Sequence, residues 1–361
     1  MLYHFVYALK DVWFGFNVFR YITFRVAFCG MTAFIISLII GPGIIRALQT
    51  FNMKEKILRT DAPTLYQYHK HKEGTPTMGG IIILIAIVVS TLLWADYTNK
   101  FIILALISTI AFGLLGFIDD YIKMKGKSRG LMVMSKLLVQ IAIGAIIGLV
   151  LFLDPNFPNT LIFPFFKDVV IDLGILFIPF AILVIVASSN AVNITDGLDG
   201  LAVGLMATIA FTFLIICYVT GSTIASQYLN IFHHPLASEL SIFCAAVMGS
   251  CLGFLWFNAY PASIFMGDTG SLALGGAIGV TALFVKEELI LLLVGGIFLF
   301  ETVSVVMQVV SFKLRRKRIF LMAPIHHHFQ LKGWPENKII IRFWIMAIML
   351  SVLTLATLKL R

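Results

Sequence analysis

Charge is scarce in this 361-residue chain: Asp, Glu, Lys and Arg make up 12% of it, against 60% hydrophobic residues, and the mean hydropathy is +0.97. Soluble domains carry about twice that share of charge, so an aqueous globular fold is excluded. The alternation of apolar and polar residues that marks a transmembrane β-barrel is also missing. Backbone groups in lipid must then be paired inside helices. Only four cysteines occur, Cys29, Cys217, Cys244 and Cys251. They fall within or at the ends of apolar runs, with no paired loop spacing, and read as small packing residues rather than a disulfide or zinc framework. No repeat, low-complexity tract or composition break divides the chain, so one polytopic domain over residues 1–361 is expected. Residues 1–20 lack a cleavage-site pattern and, with Trp13, Phe14 and Phe16, read as an interfacial segment.

What the chain does have is long apolar runs. Segments of roughly 17 to 25 residues can cross a bilayer as helices. They fall near 21–45, 79–95, 101–118, 131–153, 170–188, 200–219, 240–257, 270–285, 288–312 and 339–358. The fold class expected is an all-α integral membrane protein, a bundle of about ten transmembrane helices. The pair over 270–312 is interrupted by Gly275, Gly276, Gly279, Gly295 and Gly296. Of the 27 Lys and Arg, 19 lie in 46–78, 119–136 and 313–342. By the positive-inside rule the exits of the odd-numbered spans are cytoplasmic and both termini are external. The net charge of +9 is then a topology signal plus attraction to anionic lipid and substrate, not a nucleic-acid footprint. Function is expected in the loops on that side, approximately 46–78, 119–130, 189–199, 258–269 and 313–338. The first of these also carries the acids Asp61 and Glu73.

Those loops hold the chemistry. Gly116-Phe117-Ile118-Asp119-Asp120-Tyr121 closes the third span, where a helix C-terminus disfavours two further anions. Lys123, Lys125, Lys127 and Arg129, or a hard cation such as Mg²⁺, would compensate; an acidic helix end solvated at the interface reads the same way. Asn190, Asn193, Asp196 and Asp199 recur at three-residue spacing, which puts them on one face if the stretch is helical. Gly197 and Gly200 permit close backbone approach by a ligand. A single helix cap needs one such residue, not four. In Phe265-Met266-Gly267-Asp268-Thr269-Gly270-Ser271, Asp268 opens the eighth span and either caps it or holds a metal that bridges phosphates. Phe265 is placed to stack on a planar base or to sit as an interfacial aromatic. In Ala323-Pro324-Ile325-His326-His327-His328-Phe329 the imidazoles point in different directions, so phosphate donation suits them better than a joint zinc site. Glu301 falls inside the ninth span, with Ser304 and Gln308 at helix-face spacing. A carboxylate at that depth faces protein or water and is expected to hold a helix break.

Together with Gly74-Thr75-Pro76-Thr77-Met78-Gly79-Gly80, these runs resemble those of the bacterial phospho-N-acetylmuramoyl-pentapeptide transferases, from about residue 15 to the C-terminus. The paired Asp and the Asn-rich run are shared with the wider polyprenyl-phosphate sugar-1-phosphate transferases. The His triplet followed by Phe329-Gln330-Leu331-Lys332-Gly333-Trp334-Pro335 is similar to the muramoyl branch. The resemblance implies an Mg²⁺-dependent transfer of phospho-N-acetylmuramoyl-pentapeptide from UDP-N-acetylmuramoyl-pentapeptide to undecaprenyl phosphate, giving lipid I and UMP. It also implies a homodimer in the bacterial inner membrane that serves peptidoglycan synthesis. Carried over by residue, Asp268 would ligate the metal, and Asp119 and Asp120 would handle the lipid phosphate or its proton. Asn190, Asn193, Asp196 and Asp199 would line the nucleotide side, and Phe265 would stack on uracil. Lys72, Lys123 and Lys136 would contact substrate phosphates and Thr77 would bind substrate, with His327 and His328 near the diphosphate and sugar. From another class, an ion- or proton-coupled transporter is the rival, but its acids usually lie near the bilayer midplane.

Overall fold

The computed structural model describes residues 2–7, 10–51, 74–125, 130–164, 166 and 169–360. In chain order its helices are α1 (Leu2–Tyr7), α2 (Ile22–Thr50), α3 (Gly80–Trp94), α4 (Lys100–Met124), α5 (Val133–Phe152), α6 (Phe177–Thr195), α7 (Leu201–Gly221) and α8 (Thr223–Leu229). They continue as α9 (Ala237–Asn258), α10 (Gly267–Phe284), α11 (Glu288–Val294), α12 (Gly296–Arg315), α13 (Ile325–Leu331) and α14 (Glu336–Thr357). Between α5 and α6, β1 (Thr160–Ile162) and β2 (Val170–Asp172) form an antiparallel hairpin in which Leu161 faces Ile171. The chain is an all-α integral membrane protein.

Each of the ten apolar runs contains helix, and among the described residues eight helices are long and apolar enough to cross a bilayer: α2, α4, α5, α6, α7, α9, α12 and α14. The other two runs are α3, with 15 residues, and the glycine-rich α10. Four expected boundaries are corrected. The ninth run is two helices, α11 and α12, broken at Gly295. The fifth begins at Phe177 rather than 170, because Val170–Asp172 is committed to the hairpin. It also continues to Thr195, so Asn190 and Asn193 are helical residues rather than loop residues. Likewise α4 runs on to Met124, which places Asp119 and Asp120 inside its last two turns.

The core is built around α10, buried continuously from Thr269 to Phe284 and packed by α3, α4, α6, α7 and α9. Its small residues let backbones approach closely, the packing mode that serves where lipid supplies no hydrophobic drive between helices. One end of the bundle is tied by ion pairs. Arg25 near the start of α2 grips Glu239 of α9 through two contacts of 2.9 and 2.6 Å. Asp96 N, just past α3, donates to the same carboxylate at 2.9 Å. Lys100 at the start of α4 pairs with Asp154 just past α5. The opposite ends of these helices carry the acidic and His-bearing segments.

Candidate active site

The site begins with glycines. A Cβ on Gly116 of α4 would lie 2.1 Å from the carbonyl oxygen of Asp268, and one on Gly80 of α3 would lie 2.1 Å from Gly270 N. Only hydrogen at those two positions lets α3 and α4 touch the first turn of α10. The preceding segment is fixed from both sides: Phe265 N donates to Pro76 O at 2.9 Å, Gly79 N to Phe265 O at 2.8 Å and Gly80 N to Met266 O at 2.9 Å. The Gly74–Gly80 run is therefore a backbone clamp on the Phe265–Met266 segment.

This contact brings Asp120 to the N-terminus of α10. Its Oδ1 accepts from Asp268 N at 3.1 Å, and its Oδ2 accepts from Thr269 N at 2.9 Å and from Thr269 Oγ1 at 2.7 Å. The first N–H groups of a helix lack intrahelical partners and carry partial positive charge. Asp120 satisfies two of them from a different helix. The capping role that the sequence offered to Asp268 belongs to Asp120, and the Asp268 carboxylate is left for other partners.

Those partners are mostly cationic. Asp268 Oδ2 accepts from Lys123 Nζ at 2.9 Å and from Lys136 Nζ at 2.5 Å, while Oδ1 accepts from Asn193 Nδ2 at 2.7 Å. Asn193 Nδ2 also donates to Ser271 Oγ at 2.8 Å. Asp119 pairs with Lys123 at 2.6 Å and accepts from Leu131 N at 2.7 Å. One oxygen each of Asp119, Asp120 and Asp268 lie within 4.8 Å of one another. Three carboxylates against two ammoniums leave an excess of negative charge. Hard oxygen donors at that spacing fit a hard divalent cation such as Mg²⁺. Asp119 and Asp268 are the better donors, since they are held mainly by lysine ammoniums, whereas Asp120 is committed to the backbone and hydroxyl of the helix it caps.

The Asn/Asp run divides into two groups, because α6 ends at Thr195 and Asp196 leaves helical geometry at ψ 53°. The single face expected for all four residues therefore does not form. Asn193 reaches Asp268, whereas Asn190 Nδ2 turns to Gln140 of α5 and to Val186 O, both at 2.8 Å. Asp199 is buried and holds the segment after α9: its Oδ2 accepts from Ala262 N at 3.0 Å, and its own N donates to Glu336 Oε1 at 3.0 Å. Gly200, at φ +76°, donates to Asn258 Oδ1 at 2.9 Å. Thr77 stands by the site: a Cβ on Gly267 would lie 2.6 Å from Asp120 Oδ2 and 3.1 Å from Thr77 Oγ1.

The three imidazoles separate as expected. His326 turns inward to Glu301, and His327 Nδ1 lies 2.7 Å from Gln330 Oε1. His328 Nδ1 accepts from Leu321 N at 3.1 Å, so its proton resides on Nε2. Burial, followed by the nearby Lys332 charge, holds His328 below the usual imidazole range. Phe265 is half-buried beside the clamp. Lys72 lies outside the described residues. Sequence reasoning missed Gln140, Asn258, Ser271 and Glu336. Asn258 and Glu336 left a signal, one polar residue ending an apolar run and one acid following Pro335.

Residues 101–286 match the family model described as glycosyl transferase family 4. Residues 72–84, which include the backbone clamp, match phospho-N-acetylmuramoyl-pentapeptide-transferase signature 1. Among the relatives, a phospho-N-acetylmuramoyl-pentapeptide-transferase of Citrifermentans bemidjiense is 51% identical over 362 residues, covering 100% of both chains. That of Desulfatibacillum aliphaticivorans is 52% identical over 366 residues, and that of Thermodesulfovibrio yellowstonii is 49% identical over 365, each again covering 100% of both chains. With this likeness extending over the whole length, and with the signature residues forming the clamp beside the carboxylates, the chain belongs to the phospho-N-acetylmuramoyl-pentapeptide-transferase family.

Proposed function

We propose that the chain transfers phospho-N-acetylmuramoyl-pentapeptide from UDP-N-acetylmuramoyl-pentapeptide to undecaprenyl phosphate, releasing UMP and forming lipid I for peptidoglycan synthesis. The observation that carries this reading is the meeting of Asp119, Asp120, Asp268, Lys123, Lys136 and Asn193 at one end of a membrane bundle. Phosphoryl transfer depends on positioning and on neutralising charge, and those residues supply both. A Mg²⁺ ion held by Asp268 and Asp119 would neutralise the diphosphate charge that develops as UMP leaves. Lys123 and Lys136 donate to phosphate oxygens in exchange for the carboxylates they now hold. Asp119 takes a proton from the lipid phosphate, which then attacks directly. Asn193 orients Asp268, and Asp120 fixes the backbone on which Asp268 stands.

The bias of Lys and Arg toward alternate loops supports a cytoplasmic site in the inner membrane, with external termini. That face is where a soluble anionic nucleotide and a lipid phosphate can meet. The transport reading has no comparable support, since the site acids gather at helix ends and the buried Glu301 is paired with His326. Purified protein is expected to release UMP from the nucleotide only when polyprenyl phosphate and Mg²⁺ are both supplied. Nucleotide uptake into vesicles without UMP release would overturn the proposal.

A further inference from the structure

Glu301 lies in the second turn of α12, just after the Gly295 break, and is fully buried although many of its neighbours on the helix face outward. A fully buried carboxylate on an apolar helix requires a partner. That partner is His326, also 0% exposed, whose Nδ1 lies 3.1 Å from Glu301 Oε2. The separation is within ion-pair reach, although its angles fall outside hydrogen-bond range. On the far edge of the ring, Nε2 has no hydrogen-bond partner among the described residues. It faces Gly197, where an added Cβ would lie 2.4 Å away.

Gly197 belongs to the turn that joins Asp196 to Asp199, beyond the end of α6. Within the turn, Asp196 N reaches back to Asn193 O at 3.3 Å, Gly197 N to Thr195 O at 2.8 Å and Leu201 N to Leu198 O at 3.1 Å. Glu336 and Asn258 anchor its later half through Asp199 N and Gly200 N. At its first half, the wall against Gly197 is the His326 ring.

We infer that the buried Glu301–His326 pair is a positioning element for the nucleotide side of the site. Glu301 fixes the imidazole, and the imidazole fixes the turn that carries Asp196 and Asp199. Neither residue touches substrate; both act through the backbone of Gly197. The pair also couples α12, set apart by the break at Gly295, to the reaction centre. The inference rests on the proposed transfer only for its kinetic readout.

The test uses the full chain in lipid nanodiscs with Glu301→Ala, Glu301→Gln and Gly197→Ala. In Glu301→Ala, hydrogen–deuterium exchange over 196–200 is expected to quicken about tenfold or more through local opening, with other segments unchanged. Glu301→Gln keeps the volume and an acceptor oxygen, so it should exchange close to wild type. In Glu301→Ala and Gly197→Ala, KM for the nucleotide should rise about tenfold, while KM for polyprenyl phosphate stays within about twofold. Unchanged exchange over 196–200 in Glu301→Ala would overturn the inference, as would equal rises in both KM values. If Glu301→Ala does not purify as a folded protein, the KM split in Gly197→Ala decides. A wild type that releases no UMP would sink the transfer reading alone, leaving exchange to judge the pair.

Discussion

Removing the Asp120 carboxylate should damage the protein in a way that removing the Asp268 carboxylate does not. Asp120 accepts three hydrogen bonds at the first turn of α10, from Asp268 N, Thr269 N and Thr269 Oγ1. A helix cap contributes about 1 kcal/mol, and an anion at a partly buried helix N-terminus adds up to about 2 kcal/mol. Asp120→Ala leaves three donors without an acceptor in a buried place, at about 1 kcal/mol or more each. The expected loss is about 3–5 kcal/mol, with activity abolished because the backbone of Asp268 is released. Asp120→Asn keeps one oxygen for Thr269 but turns an NH₂ group toward Asp268 N, so about 1–2 kcal/mol should go. Asp268→Asn should abolish UMP release but cost less than Asp120→Ala, about 1–2 kcal/mol, since the amide keeps one acceptor oxygen while Lys123 and Lys136 keep Asp119 within ion-pair reach. Thermal unfolding in detergent, followed by tryptophan fluorescence, gives the ranking, and UMP release gives activity. In a cycle with Thr269→Val, a coupling of about 1 kcal/mol should appear between positions 120 and 269. Asp120→Ala as stable as wild type, or a coupling near zero, would refute the cap.

Three further expectations follow from other parts of the molecule. Gly116→Ala puts a methyl 2.1 Å from a backbone oxygen that cannot rotate away, so both stability and UMP release should fall sharply; wild-type values would show that α4 and α10 are not in backbone contact. At the far end, Lys286 and Glu288 are buried 3.2 Å apart, with the ammonium over the Phe157 and Phe177 rings. Lys286→Met should cost about 3–5 kcal/mol by leaving one charge unpaired, and Lys286→Met with Glu288→Met should regain most of it; a double variant no better than the single one would refute the pairing. His328, held below its ordinary pKa by burial and by Lys332, binds fewer protons folded than unfolded. Its contribution to stability is therefore present above the unfolded pKa near 6.5 and is lost as pH falls from there through the lower folded value. Histidine carbon-13 shifts should show it titrating below that value, and a midpoint above it would contradict the Leu321 contact.

The candidate site is largely legible because short runs carry it: Asp119, Lys123, Asn193 and Asp268 stand out in the sequence, Lys136 enters through the family resemblance, and the five meet. The capping by Asp120 was not legible, since it depends on a contact between residues 148 positions apart that Gly116 permits. Helix ends were misjudged where polar side chains bond their own preceding turn. Ser188 donates to Val184 O, Asn190 to Val186 O and Thr195 to Ala191 O, so these polar groups are satisfied within α6, in a stretch that hydropathy treats as a loop. The same stretch then fails to give one polar face, because its last two acids fall beyond the helix. Glu301 announced itself as anomalous, but its partner 25 residues on lies in another segment and left no periodic trace.

The shaft on which Asp268 stands is a glycine-rich helix outside the eight candidate spans, and every residue from Thr269 to Phe284 is enclosed. Such a segment takes its place from the neighbours that wrap it. During synthesis, α10 should therefore settle only as its flanking helices close around it, so that no half-built form of the protein exposes a competent centre. Catalytic power and completed biogenesis arrive in the same step.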